Sequence, residues 1–197
     1  MATVTIRPIS TLVTSPDYQH WSNATYPSGT PIANRYTLVD ESSADDDTSF
    51  FQCATKMHSF EHFGMGDPGI SVGTITNVRV YFRCRHVTAT GYSRAIIGGV
   101  GGSVGATKTS TASYQTFYED FAKNPVTSSA WRWSDFYGAS SYKFGIEGWG
   151  SGTKANNRCT QFYVEITYNI PPDGIKVDGV VATKMNGVTP AKMNGVA

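Results

Sequence analysis

Hydrophobic and polar residues alternate along this chain with a period of two. The longest alternating stretch is TITNVRVYFRCRH at 74–86. Its apolar residues share one side of an extended backbone, and arginine or tyrosine occupies the other side: Val78, Val80, Phe82 and Cys84 against Arg79, Tyr81, Arg83 and Arg85. Because successive side chains of a strand point to opposite faces, this pattern predicts a strand with one buried face.

Shorter stretches of the same kind recur every 10–20 residues. They lie at 2–7, 94–100, 113–121, 141–149 and 160–168. No long segment has the helical period, and glycine-rich turns separate the stretches. The pattern therefore predicts an all-β antiparallel sandwich. It also predicts a loop over residues 14–34.

Three local predictions complete this picture. The segment YTLVDE at 36–41 is expected to be extended, with a turn before the next strand. One short helix is expected at SDFYGA, where Ser134 is placed to cap it. The sandwich is expected to span residues 1–168, followed by a linker at Pro171-Pro172 and a C-terminal arm over 169–197.

Composition and charge restrict the classes of function. The chain has 197 residues and a formal net charge of +1, so nothing global indicates binding to nucleic acid. The charges are uneven: residues 1–75 carry eight acids and three bases, and residues 76–168 carry five acids and ten bases. Such asymmetry suits contact between subunits.

Cysteine usage and the N-terminal sequence indicate where the protein is made. Cys53, Cys84 and Cys159 form neither a disulfide framework nor a zinc pattern, and Cys84 is expected to be a buried thiol. The N-terminal sequence has no apolar signal core, and no segment is apolar enough to predict a membrane span. We therefore expect synthesis in a reducing cytoplasm and no membrane partner.

One motif raises the question of catalysis. The stretch HSFEH, from His58 to His62, matches a zinc-peptidase pattern with Glu61 as general base. That chemistry needs a helix to bring the two histidines together, and Gly64, Gly66 and Pro68 leave no room for one. A surface turn with Phe60 and Phe63 tucked inward is the preferred interpretation, so we predict no enzyme, no metal and no cofactor.

Two other clusters leave alternatives open. Asp45, Asp46 and Asp47 either hold a structural cation or are solvated turn carboxylates, although their spacing does not match a calcium loop. Trp131 and Trp133 lie on one side of an extended segment. They either stack on sugar rings or fill the core, and Trp149 is a further candidate for an exposed sugar platform.

The chain ends with nearly three copies of an eight-residue unit, IKVDGVVA, TKMNGVTP and AKMNGVA. An even period places equivalent residues on one face of an extended chain, and the unit holds too little apolar surface to fold alone. A linker is the simplest alternative, but the regular repetition favours docking on another chain. The predicted partner-binding residues are Lys176, Val177, Val180, Lys184, Met185, Val188, Lys192, Met193 and Val196.

The order of these motifs resembles a family. YTLVDE–DDDTSF, TITNVRVYFRCR, NPVTSSAWRWSDF, FGIE and RCTQFYVEITY occur in an order that resembles the jelly-roll domain of virion proteins of tailed bacteriophages. The C-terminal KxNGV repeats resemble the short Gly-Val repeats that close many phage structural proteins. The resemblance extends from Arg7-Pro8 to Tyr168 and into the repeats.

The resemblance implies a jelly-roll-like sandwich with an extended C-terminal arm, acting as a non-enzymatic component of a phage particle. A capsid decoration or auxiliary protein is the first expectation, made in the host cytoplasm and located in the virion. Its partners would be major capsid or tail subunits and copies of itself, in a homo-oligomer. The alternatives are a carbohydrate-binding module or a receptor-binding tail or fibre protein, whose partner is a glycan on the host surface.

Overall fold

The structure is a computed structural model of the full chain. It describes residues 1–12, 24–26, 32–53, 58–87, 90–98, 102–137, 142–150, 157–170, 176–177 and 180–181. The predicted loop at 14–34 therefore lies largely outside the described residues, and in its described part the prediction is wrong, since it holds a strand at Ala24–Tyr26 and the start of the 3-10 helix Ile32–Leu38. No helix within these ranges has the length and apolar character that crossing a bilayer requires.

The described residues form strands joined by turns and short 3-10 helices. In chain order the strands are β1 (Ala2–Ile6), β2 (Pro8–Thr11), β3 (Ala24–Tyr26), β4 (Phe50–Cys53), β5 (Ser59–Met65), β6 (Thr74–His86), β7 (Gly91–Ile97), β8 (Ser103–Val104), β9 (Lys108–Ser110), β10 (Gln115–Phe121), β11 (Phe144–Gly150), β12 (Asn157–Asn169), β13 (Lys176–Val177) and β14 (Val180–Val181). The 3-10 helices span Ile32–Leu38, Asp46–Thr48 and Trp133–Asp135.

The strands build two antiparallel sheets. The first sheet has the order β10-β6-β12-β4-β3, with β1 also paired to β12. The second has the order β2-β5-β11-β7-β8, with β9 also paired to β7. The fold is therefore an all-β sandwich, as the alternating pattern predicts.

The inner faces of the two sheets enclose one hydrophobic core. The two longest strands, β6 and β12, pair over their whole length and supply alternate residues to it. The predicted inward residues are buried: Val78, Val80, Phe82, Cys84, Phe162, Val164, Ile166 and Tyr168. The second sheet contributes Phe63, Ile97, Phe144 and Ile146. Strands β6 and β12 thus confirm the predictions at 74–86 and 160–168.

Cys84 is a buried thiol, as predicted. It lies directly opposite Cys159 in the register of β6 and β12, and both thiols are free and inward-facing. Burial raises the pKa of Cys84, so this side chain behaves as a small hydrophobic residue of the core.

The predictions for the segment at 36–41, for the helix at SDFYGA and for its cap are wrong. The segment predicted to be extended at 36–41 begins inside the 3-10 helix Ile32–Leu38. In the described part of the predicted helix at 134–139 there is only a single 3-10 turn, Trp133–Asp135, with Arg132 in the N-cap position. Ser134 lies within that turn and therefore does not cap it.

The C-terminal arm is described only in part. Strand β12 ends at Asn169, close to the predicted domain boundary. Beyond it, β13 and β14 pair with each other, Lys176 opposite Val181 and Val177 opposite Val180. Within the described residues this pair is separate from both sheets of the sandwich.

Candidate functional site

The outer faces of the two sheets differ in exposure. On the second sheet the central outward residues are buried: His62, Ile96 and Glu147 are 2%, 2% and 1% exposed. On the first sheet the outward residues of β6 and β10 are half-buried or exposed. The middle of the outer face of the first sheet is therefore more accessible to a ligand than the middle of the outer face of the second.

Three tyrosines form a row across this surface. Tyr118 of β10 lies opposite Tyr81 of β6, and Tyr81 lies opposite Tyr163 of β12. The rings of Tyr81 and Tyr163 stack with centroids 4.5 Å apart, and those of Tyr81 and Tyr118 are 5.8 Å apart and tilted. Strand β10 is the last in its sheet order, and Tyr118 is 49% exposed. Tyr118 is thus the most accessible ring of the row.

Arginines lie between and beside these rings. The guanidinium carbon of Arg79 is 4.3 Å from the ring centroid of Tyr118, and that of Arg7 is 5.1 Å from the centroid of Tyr163. Next to the row, Arg83 and Arg85 approach the ring of Tyr114 at 5.6 and 4.9 Å. Cation–π contacts of this kind hold the planar groups in defined orientations.

Aspartates fix the arginines. Arg83 donates from Nε and Nη2 to the two carboxylate oxygens of Asp46, at 2.6 and 2.9 Å. Arg85 and Arg158 both donate to Oδ1 of Asp47, at 2.7 and 2.8 Å. The hydrogen bond from Arg83 holds the pKa of Asp46 below its usual value. We call this surface the tyrosine–arginine face, defined by Tyr81, Tyr114, Tyr118, Tyr163, Arg7, Arg79, Arg83, Arg85, Arg158, Asp46, Asp47, Asp120 and Glu165.

Arg79, the remaining arginine of β6, links these arginine–aspartate pairs to the tyrosine row. It donates two hydrogen bonds to Asp120 and one of 3.4 Å to the hydroxyl of Tyr81. Burial raises the pKa of Tyr81, and a hydrogen bond to Glu165 adds to the effect. The chain Asp120–Arg79–Tyr81–Glu165 therefore crosses three strands with its polar groups in fixed positions.

For Trp131 and Trp133 the sequence left two roles open, packing in the core or contact with a sugar. Both side chains belong to the core. Trp131 and Trp133 are 5% and 7% exposed. Their indole Nε1 groups donate to the main-chain oxygens of Phe121 and Gly73, at 2.8 and 2.9 Å. Both rings and both donors are occupied inside the protein, so neither side chain is placed to contact a sugar.

Trp149, the third tryptophan candidate, lies in a different environment. It is half-buried on the outer face of the second sheet, where Tyr92 of β7 lies opposite it and His58 precedes the other neighbouring strand, β5. The ring of His58 stacks on it at 4.3 Å between centroids, and the ring of Tyr92 at 5.6 Å. Two neighbouring rings therefore pack against the indole of Trp149.

The HSFEH motif is part of a strand, not a surface turn. His58 precedes β5, Phe63 is buried in the core, and Phe60 is half-buried on the opposite side. Glu61 points inward, where Arg35 Nη1 donates to its Oε2 at 3.2 Å. Residues four apart in a strand lie about 13 Å apart, so His58 and His62 cannot share one metal ion. No group of three or more metal-ligating side chains is found among the described residues.

The open alternative at Asp45 to Asp47 is decided by their partners. Asp45 accepts a hydrogen bond of 2.9 Å from the hydroxyl of Thr160, and Asp46 and Asp47 bind the arginines already described. All three carboxylates are therefore engaged by protein side chains through ion pairs or hydrogen bonds.

The predicted residues of the C-terminal arm are only partly located. Lys176 and Val177 lie in β13, and Val180 in β14. The remaining predicted residues, Lys184, Met185, Val188, Lys192, Met193 and Val196, lie outside the described residues.

Sequence reasoning missed the tyrosine row. The outward positions of Tyr81 and Tyr163 are readable from the alternation in 74–86 and 160–168. Their alignment with Tyr118 depends on the register of β10 against β6, which the alternation alone does not determine. The sequence signal for this row is an outward-facing tyrosine near the middle of each of three separate strands.

Comparison with known proteins gives distant likenesses only. The sequence matches no family model, and it matches none of the curated proteins. The chain is similar in structure to the C-terminal CBM6 of LamC, a laminarinase from Zobellia galactanivorans, with TM-score 0.42 and 13% identity over 84% of this chain and 99% of that one. It is also similar to the N-terminal cellulose-binding domain of Cellulomonas fimi β-1,4-glucanase C, with TM-score 0.39 and 10% identity over 62% and 79%.

A third solved structure is the CBM22-1 xylan-binding domain of Paenibacillus barcinonensis Xyn10C, with TM-score 0.33 and 8% identity over 79% of this chain and 99% of that one. These TM-scores and identities are too low to transfer a ligand or a function to this chain. The assignment of a site to this protein rests on the geometry of its own tyrosine–arginine face.

Proposed function

We propose that this protein is a non-catalytic, glycan-binding β-sandwich domain that binds its ligand on the tyrosine–arginine face. The observation that carries the proposal is the row Tyr118–Tyr81–Tyr163, which crosses three strands of an open sheet. Tyr118, the exposed ring of the row, offers apolar ring surface beside oriented hydrogen-bonding groups, the combination that small-molecule and oligosaccharide sites use.

Rigidity supports the same proposal. The planar groups of the face are fixed before any ligand arrives, by stacking of Tyr81 on Tyr163 and by the two-point ion pair of Arg83 with Asp46. A ligand therefore does not have to immobilise long side chains, which reduces the entropic cost of binding.

The experiment is a screen of purified full-length protein against soluble polysaccharides by affinity electrophoresis, followed by calorimetry on any that retard it. We expect at least one glycan to bind, and Tyr118→Ala to weaken that binding by about three- to tenfold, since aromatic contacts are worth roughly 0.5–1.5 kcal/mol. The matched control is Tyr92→Ala on the second sheet, which should bind as the wild type does. Loss of binding in the control alone would place the site on the other sheet.

A second candidate function is a subunit of a phage particle. It rests on the resemblance of the motifs and repeats, and on the separation of β13 and β14 from both sheets of the sandwich within the described residues. Deletion of residues 170–197 should leave a folded body that no longer assembles with other subunits. Sedimentation of the full chain and the truncated chain measures this, and equal assembly of both would contradict the candidate.

A further inference from the structure

The ion pairs of the tyrosine–arginine face determine what kind of glycan it accepts. We infer that the face selects an uncharged glycan, and that Asp46, Asp47 and Asp120 set this specificity by neutralising its arginines. The inference rests on the proposed function and deepens it, because it names the ligand class of the same site.

Each arginine of β6 and β12 on this face has an aspartate partner. Arg79 pairs with Asp120, Arg83 with Asp46, and Arg85 and Arg158 with Asp47. Glu165 adds a further carboxylate in register with Arg79. Arg7, at the edge, lies over Tyr163 and donates to the main-chain oxygen of Glu41 at 2.5 Å. The face is therefore close to electrically neutral despite its arginine content.

The geometry of the arginine–aspartate ion pairs disfavours binding of an anionic ligand. In the Arg79–Asp120 and Arg83–Asp46 pairs the carboxylate occupies the Nε–Nη2 edge of the guanidinium with two hydrogen bonds. That edge is one of the two that a guanidinium offers for two-point contact with a sulfate, phosphate or uronate. An anion would have to displace the aspartate or approach it, and repulsion between like charges opposes both.

The same array fits hydroxyl groups. Guanidinium groups only donate hydrogen bonds, and carboxylates only accept them, whereas a sugar hydroxyl does both. Arg and Asp side by side therefore offer a donor and an acceptor to neighbouring hydroxyls of one sugar. The tyrosine rings beside them cover its apolar side. The charged groups of an anionic glycan supply acceptors alone, so they add no donor for these carboxylates.

The test compares the full-length protein with single-charge variants. The wild type is assayed by affinity electrophoresis against a neutral β-glucan, a neutral xylan, polygalacturonate and dextran sulfate, at about 0.05 M and about 0.5 M NaCl. We expect retardation by at least one neutral polymer, changing less than about twofold with salt, and none by the acidic polymers.

Asp120→Asn and Asp46→Asn remove one carboxylate charge each while keeping an amide oxygen for the arginine. Asparagine also tolerates the positive φ of 54° at residue 46. We expect dextran sulfate to retard both variants at about 0.05 M NaCl but not at about 0.5 M NaCl, and to retard the wild type at neither. Asp67→Asn, on an exposed turn, makes the same change in net charge elsewhere and should show no such retardation.

The outcomes separate the two proposals. Wild-type binding to an acidic polymer, lost at high salt, would overturn neutral selection and leave glycan binding in place. Equal gains in all three variants would also overturn it, because net charge and not the face would then be responsible. Failure of the wild type to bind any polymer would contradict the proposed function itself.

Discussion

Arg79 and Asp120 face each other across β6 and β10, and the guanidinium holds the carboxylate by two hydrogen bonds of 2.7 and 2.8 Å. The bond from Arg79 holds the pKa of Asp120 below its usual value, so the pair stays charged well into the acidic range. The pair is solvent-accessible, with side-chain exposures of 35% and 41%. Its contribution to stability is therefore small, and its effect is mainly to orient the guanidinium over Tyr118.

Arg79→Lys separates orientation from stability. Lysine keeps the charge but loses the planar two-point contact and the stacking on Tyr118. We expect glycan affinity to fall by roughly three- to tenfold, measured by calorimetry. The free energy of unfolding should change by less than about 1 kcal/mol. Arg132→Lys, an exposed arginine outside the face, is the control. A large loss of stability without loss of affinity would assign Arg79 a purely structural role.

Gly145→Ala tests the packing of β11 against β5. A Cβ at residue 145 would lie 2.2 Å from the main-chain oxygen of Glu61, a backbone atom that cannot move without disturbing the sheet. We expect a loss of roughly 3 kcal/mol or more in the free energy of unfolding, from urea denaturation. Gly66→Ala is the matched control, because its Cβ would meet neighbours only at 3.5 Å. Equal stability of the two variants would show that the β5–β11 approach is looser than described.

The buried pair of Glu61 and Arg35 predicts a pH dependence. Burial raises the pKa of Glu61 from 4.5 to about 7, with Arg35 opposing the shift. Between these values the folded protein holds a proton that the unfolded chain has released. The stability from this group is therefore complete below pH 4.5 and is lost as pH rises towards 7.

Glu61→Gln is the reference for that dependence, since glutamine does not titrate. We expect the wild type to lose on the order of 2 kcal/mol relative to the variant between pH 5 and pH 7. Urea denaturation at both pH values measures the difference. Asp46 and Asp120, whose pKa values are lowered, do not titrate in this window. Parallel pH profiles of the two proteins would contradict the assignment to Glu61.

Trp133→Phe removes one buried donor. The indole of Trp133 donates to the main-chain oxygen of Gly73, and its ring packs edge-on against Tyr168 with centroids 5.1 Å apart. Phenylalanine keeps part of the packing but leaves a buried carbonyl unsatisfied, so we expect a loss of about 1–3 kcal/mol. Glycan binding should be unchanged. Loss of binding with normal stability would instead make Trp133 a ligand residue.

The regular strands could be predicted because their burial follows the alternation. Strand β6 spans 74–86 as predicted, since every second side chain from Val78 to Cys84 enters the core. The strand at HSFEH was missed because its inward positions include Ser59 and Glu61, which break the apolar pattern. Polar residues at buried positions depend on partners elsewhere in the chain, here Arg35 for Glu61, and a local pattern does not contain that information.

The site was predictable only in fragments. The sequence alone shows the outward arginines of 74–86 and the carboxylates of 45–47. It does not show that these arginines and carboxylates bind each other. Arg83 and Asp46 are 37 residues apart in the chain, and only the sheet brings them together. The two tryptophans were ambiguous because large aromatic rings serve cores and ligand sites equally well.

Strand β1 pairs with β12. Ala2, near the start of the sandwich, therefore lies opposite Tyr168, which is near its end in the sequence. During synthesis β1 emerges from the ribosome before β12, so β1 has no native partner strand until β12 has been synthesised. Closing a loop of that length is entropically costly, and sheets with such distant pairings assemble in milliseconds to seconds. The native first sheet therefore cannot form before β12 has been synthesised, and until then the unpaired edge of β1 is a point at which the growing chain needs protection from aggregation.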